Sequence, residues 1–128
     1  MSVCLDSWAV LAWLQGEQPA TARVDSLIDS RPVICWVNLA EVYYRLGRVH
    51  GRKKADETLA DLRAKLLADL PGTARMIEAA RLKAQHSIAL ADCFALATAA
   101  AHDLALLTGD PEILDLPDPP CEVEDLRG

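Results

Sequence analysis

Four acidic residues, Asp6, Glu41, Asp92 and Asp110, stand where a fold could gather them into one site. An ionised carboxylate only accepts hydrogen bonds. Several in one place repel each other unless protons or cations intervene. A donor set made of oxygen alone suits hard divalent ions, Mg2+ or Mn2+. Each acid also has an ordinary local explanation. Asp6 can cap a helix opening at Ser7, and Asp110 before Pro111 is a common helix start. Glu41, three residues after Asn38, comes close to a capping box. Asp92 is the hardest to explain this way. It lies in an alanine-rich apolar segment where Ser87 can serve as the cap, and a charge on an apolar helix needs a partner or a wet cleft.

The elements that must position these acids follow from the pattern around them. Val3-Cys4-Leu5 and Val33 to Val37 read as buried strands, and Leu104 to Thr108 as a third. Between them, apolar residues recur at helical spacing: Trp8 to Leu14, Thr21 to Ile28, Asn38 to about Leu46 with Gly47 as the stop, Arg52 to Leu62, and Thr73 to about Gln85. Ser87 to His102 reads as a helix apolar on all sides and therefore buried. Lys65 to Leu70 is open between helix and strand. Asp110 opens a short helical turn, and Cys121 to Val123 is a candidate edge strand. Strands alternating with helices predict an α/β fold with a parallel sheet covered on both faces. All four acids then fall where a strand ends or a helix begins. Those places lie along the carboxyl edge of the sheet, where such folds bind ligands. Ser7 and Thr108 put hydroxyls beside Asp6 and Asp110 to orient them.

The 128 residues suit one domain spanning 1–128. Residues Met1 to Leu5 lack the basic start of a signal peptide, and Ile88 to Ala101 is too short and too weakly apolar to cross a bilayer. A cytoplasmic protein is expected. Cys4, Cys35, Cys93 and Cys121 are far apart and form no C-x-x-C pair, so small buried hydrophobes are expected rather than a zinc site. A net charge of −6 argues against broad electrostatic attraction to nucleic acid. Against that background, Arg45, Arg48, His50, Arg52, Lys53 and Lys54 form a basic cluster with no acid among them. Arg45, Arg48, Arg52 and Lys53 are the residues expected to meet a phosphate backbone. His50, His86 and His102 read as surface residues, and Trp36 as core. Tyr43 and Tyr44 cannot both face inward, so one is free for an interface.

Four segments together resemble one family. Leu5-Asp6-Ser7-Trp8-Ala9-Val10-Leu11-Ala12 looks like the opening of PIN domains, and Asn38-Leu39-Ala40-Glu41-Val42 like their T-x-x-E-V segment. Ser87 to Ala95, containing Asp92, resembles their third acidic helix start. Leu106-Leu107-Thr108-Gly109-Asp110-Pro111-Glu112 resembles their T-x-D strand end. Length and layout look most like the VapC toxins of toxin–antitoxin pairs. Asn38 stands where Ser or Thr is more usual, and Ile113-Leu114 where an aromatic residue is common. Neither departure removes an acid.

The resemblance implies a PIN-like α/β/α sandwich with a sheet of about five strands in the order 3-2-1-4-5. It implies metal-dependent hydrolysis of RNA, a homodimer, and a cognate antitoxin partner. Asp6 and Asp92 would be the main metal ligands, and Glu41 and Asp110 would reach metal directly or through water. Two rival readings stand beside it. One is an inactive PIN-fold binding module. The other is a phosphohydrolase with Asp6 as nucleophile, but haloacid dehalogenase-type enzymes carry a second aspartate where Trp8 stands here.

Overall fold

A computed structural model describes residues 2–128. Its strands are β1 (Cys4–Leu5), β2 (Val33–Cys35), β3 (Leu67–Asp69), β4 (Leu106–Thr108) and β5 (Val123–Asp125). They form one parallel sheet in the order β3-β2-β1-β4-β5. Cys4 and Leu5 sit between Val33 and Ile34 on one side and Leu106 and Leu107 on the other. This is the α/β/α arrangement and strand order expected from the sequence.

The helices are α1 (Ser7–Leu14), α2 (Ala20–Leu27), α3 (Trp36–His50), α4 (Arg52–Lys65), α5 (Thr73–Gln85), α6 (Leu90–Ala101) and α7 (Pro111–Leu114). Alternation along the strands divides the core in two. Leu5, Ile34 and Leu107 point into one apolar cluster with Val10, Leu39, Val42 and Leu62 from α1, α3 and α4. Cys4 and Leu106 point into the other, with Ala79, Cys93 and Leu96 from α5 and α6. A fully buried Leu or Ile in these layers contributes about 1.5–3 kcal/mol. All four cysteines are free; Cys4, Cys35 and Cys93 are buried and Cys121 is half-buried.

Several boundaries differ from the sequence reading. The second strand stops at Cys35, so α3 begins at Trp36 and Asn38 lies inside the helix rather than capping it. The helix passes through Gly47, where α4 comes close: a Cβ there would meet that of Ala55 at 3.9 Å. It ends at Gly51, whose φ of 87° lets the chain turn sharply into α4. Ser87 caps nothing, because α6 starts at Leu90 without a side-chain cap. The Leu104 N–H closes α6 by bonding the Ala99 carbonyl at 2.9 Å, so β4 starts only at Leu106. The edge strand forms two residues later than expected, and Lys65 to Leu70 resolves into β3. His102 is exposed at the surface, as expected, and its Nε2 lies 2.5 Å from Asp69. Trp36 is only partly buried, with Arg63 stacked 5.2 Å above its ring. Among the described residues, no helix is long and apolar enough to cross a membrane.

Candidate metal and nucleic-acid site

Strand β1 delivers Asp6 to the carboxyl edge of the sheet, and β4 delivers Asp110 beside it. Asp6 is 1% exposed and caps α1, accepting the Ala9 N–H at 2.9 Å. Its other oxygen accepts the Thr108 hydroxyl. The Asp110 N–H in turn donates to the Thr108 oxygen at 3.0 Å, and Asp110 caps α7 through the Glu112 N–H. Thr108 thus ties the two aspartates together at the junction where the strand order reverses. Gly109 is required between them. A Cβ there would lie 2.3 Å from the Trp8 ring, so the indole seats directly on the backbone before Asp110.

The other two acids come from helices. Asp92 is in the first turn of α6, buried, and none of the described residues donates a hydrogen bond to its carboxylate. Asn38, also buried, donates from Nδ2 to the Ala91 carbonyl at 3.1 Å and so fixes α6 against α3; its Oδ1 has no partner among the described residues. Glu41 accepts the Ser7 hydroxyl at 2.6 Å and pairs with Arg45 at 3.3 Å. The capping-box explanation of Glu41 therefore fails, while the capping explanations of Asp6 and Asp110 hold. Ser7 supports Glu41 rather than Asp6.

A cavity of 400 Å³ opens over this junction. Glu41, Asp92 and Asp110 line it, joined by Glu17 and Glu112, with Arg45 as the one lining cation. Asp6 lies beneath the lining. Burial raises Asp92 to about 7, helped by the charges of Asp110, Asp6, Glu112 and Glu41. Burial also raises Asp6 to about 7, against the downward pull of Thr108 and the Ala9 N–H and with a smaller upward push from Asp110. The acids are thus close enough to feel each other. As the side chains stand, no three His, Cys, Asp or Glu among the described residues converge tightly enough to cage an ion. Glu41 is drawn aside by Ser7 and Arg45. In donor chemistry the set fits a hard divalent ion: carboxylate oxygens only, with those of Asp92 accepting no hydrogen bond from the described residues.

The PIN domain family matches residues 3–119. The chain belongs to the PIN domain family. No curated protein matches it in sequence. Solved structures share the fold at low identity. DNA-bound VapBC from Salmonella typhimurium aligns with a TM-score of 0.79 and 16% identity, covering 98% of each chain. VapBC2 from Rickettsia felis, bound to a promoter DNA fragment, gives 0.77 and 16%, again over 98% of each. VapC20 from Mycobacterium tuberculosis, described as a sarcin–ricin loop cleaving toxin, gives 0.68 and 14%, covering 84% of this chain and 89% of that one.

The basic cluster of this PIN domain divides in space. Arg45 and Arg48 line a second cavity, of 440 Å³, that shares Leu11, Gln15 and Arg45 with the acidic one. Arg52 and Lys53 lie on the exposed first turn of α4, outside both cavities, with Arg52 3.9 Å from Asp56. Gly51 turns the chain between them, so neighbours in sequence face different ways. The two tyrosines also diverge: Tyr43 donates to Asp56 at 2.5 Å, while Tyr44 is half-exposed in the second cavity. Glu112 was not singled out by sequence reasoning. Its place two residues after Asp110, one turn into the same cap, was the available signal.

Proposed function

We propose that this PIN domain is an endoribonuclease that uses Mg2+ or Mn2+ to hydrolyse RNA phosphodiester bonds. We further propose that it is a cytoplasmic toxin restrained by a cognate antitoxin protein, and that it acts as a homodimer. The observation that carries the reading is Asp92, a buried carboxylate with no hydrogen-bond donor among the described residues, facing a cavity lined by four further acids and underlain by Asp6. Such a cavity repels a phosphate unless cations enter first. In this reading Asp92 and Asp110 hold the cation and Glu41 joins on release from Arg45, while Asp6, expected from the sequence as a main ligand, adds charge from below because both its oxygens are engaged. When bound, a divalent ion lowers the pKa of water and neutralises charge on the scissile phosphate. Thr108 and Ser7 keep Asp6 and Glu41 in place. Water is the nucleophile in this reading, because Asp6 is buried with both oxygens engaged. The same burial counts against Asp6 as a phosphoryl acceptor. Arg45 and Arg48 supply positive charge for the flanking backbone, with Arg52 and Lys53 as outlying contacts. The toxin–antitoxin complexes among the structural relatives support the antitoxin partner.

An RNA cleavage assay with added Mn2+ tests this. Asp92→Asn is expected to lose at least about 100-fold in rate, since even removing an outer partner of a metal ligand costs 10–100-fold. Cleavage by the wild type that is unaffected by excess EDTA would overturn the metal dependence.

A further inference from the structure

Helix α3 carries a stripe of residues on one face: Glu41, Tyr44, Arg45 and Arg48, spaced i, i+3, i+4, i+7. Glu41 opens the stripe in the acidic cavity. Tyr44 and Arg48 continue it into the second cavity, about 10 Å further along at 1.5 Å per residue. The opposite wall is α1, through Leu11 and Gln15, which line both cavities. The two therefore form one continuous trough whose charge changes sign. At one end stand five acids and Arg45. At the other, Arg45, Arg48 and His50 stand with no acid in the lining. A third cavity shares Leu11 and Gln15, but there Lys54 and His50 stand with two acids, Glu57 and Asp61, so it lacks the acid-free lining of the second.

Resting on the ribonuclease reading above, we propose that the second cavity holds an unpaired nucleotide of the substrate, its base stacked on Tyr44 and its phosphate on Arg48. An exposed aromatic face beside cations is the recurring means of gripping a single strand, and stacking accepts any base because every base has a π-face. A base inside a helix has both faces covered and its edges paired, so it cannot use such a platform. Tyr44 is 48% exposed, whereas Tyr43, one residue earlier, is committed to Asp56. At about 3.4 Å per stacked nucleotide, the distance along α3 places the gripped nucleotide one to three positions from the cleaved bond.

The test is Mn2+-dependent steady-state cleavage of an unstructured oligoribonucleotide pool by the full chain, as wild type, Tyr44→Leu and Tyr44→Phe. The leucine variant should raise KM about tenfold with kcat retained, the mark of lost binding rather than lost chemistry. The phenylalanine variant should match wild type, and annealing the complementary strand should abolish cleavage by all three. Melting of Tyr44→Leu close to wild type shows that a half-exposed position was altered without unfolding. A wild type that cuts RNA while Tyr44→Leu keeps its KM overturns this inference and leaves the ribonuclease reading intact. Equal cutting of the duplex does the same. Unchanged KM with weakened inhibition by the antitoxin assigns the cavity to a protein and likewise overturns it. A wild type that cuts no RNA sinks both.

Discussion

The two ends of α3 face the same trough and present opposite electrostatics. Toward its start, Glu41 looks into a cavity whose acids raise each other's proton affinity. Toward its end, Arg48 and His50 stand in a cavity with no acid in its lining. Arg45 sits at the boundary, paired with Glu41, and the neighbouring Tyr44 hydroxyl, ahead of Glu41, raises its pKa above the ordinary value. The difference teaches that a chain with a net charge of −6 can still present a local path for a polyanion. The sign of the whole matters less than the order in which charges line one groove.

The sharpest way to break this comparison is to disable each end alone. Asp92→Asn should abolish most Mn2+-dependent cleavage while leaving RNA affinity within about twofold, because the cationic end is untouched. Arg48→Glu should weaken RNA binding and lower the slope of log affinity against log salt by about one, the value for one lost phosphate contact. Binding titrations from 50 to 200 mM salt read both. If Arg48→Glu leaves the slope unchanged, the two ends do not divide the work in this way.

Gly109→Ala probes the acidic end through packing. Its Cβ would collide with the Trp8 indole, so the loop carrying Asp110 must shift. Overpacking of this kind costs about 1–3 kcal/mol. Cleavage should fall while RNA affinity holds, and pairing the change with Trp8→Leu should restore part of both stability and rate. A single variant as stable as wild type, by denaturant titration, would show that the indole is not wedged there.

A last comparison separates the ends by pH. Asp6 and Asp92 rise from 3.8 in the unfolded chain to about 7 in the fold, so between those values the folded state binds more protons. Stability in EDTA should therefore fall as pH climbs from about 4 to about 7 and level off above. Asp92→Asn should flatten part of that decline, and Arg48→Gln should not. Melting temperatures at pH 5 and pH 8 decide it; equal values for wild type would contradict the proton affinities that burial raises at Asp6 and Asp92.

Much of the acidic end was legible in the sequence. Strand-to-helix junctions are marked by residue type, and in a parallel sheet they all reach one edge, so Asp6 and Asp110 could be placed without coordinates. The strand order came from the resemblance and not from the pattern. Glu41 was legible as a site residue only against a rival explanation: the capping box that could have accounted for it vanishes once α3 begins at Trp36. The cationic end was harder to read. Arg45, Arg48, Arg52 and Lys53 are one cluster on paper, yet Gly51 parts them. Which tyrosine is free depends on which helices flank α3, a tertiary fact that local spacing does not contain. Asn38 looked like a cap and is instead a tether across to Ala91.

Gly51 has a further consequence. By ending α3 where it does, it places Arg48 and His50 in a last turn, the pole of a helix that favours positive charge. Asp6 and Asp110 cap helix starts, and Asp92 lies in a first turn, the pole that favours negative charge. Chain direction therefore lays out the charge map of the trough: where helices begin it is anionic, and where α3 finishes it is cationic. Most of this polarity runs with the grain of the backbone rather than against it, and Asp92, the one carboxylate of the set left without a donor among the described residues, bears the cost.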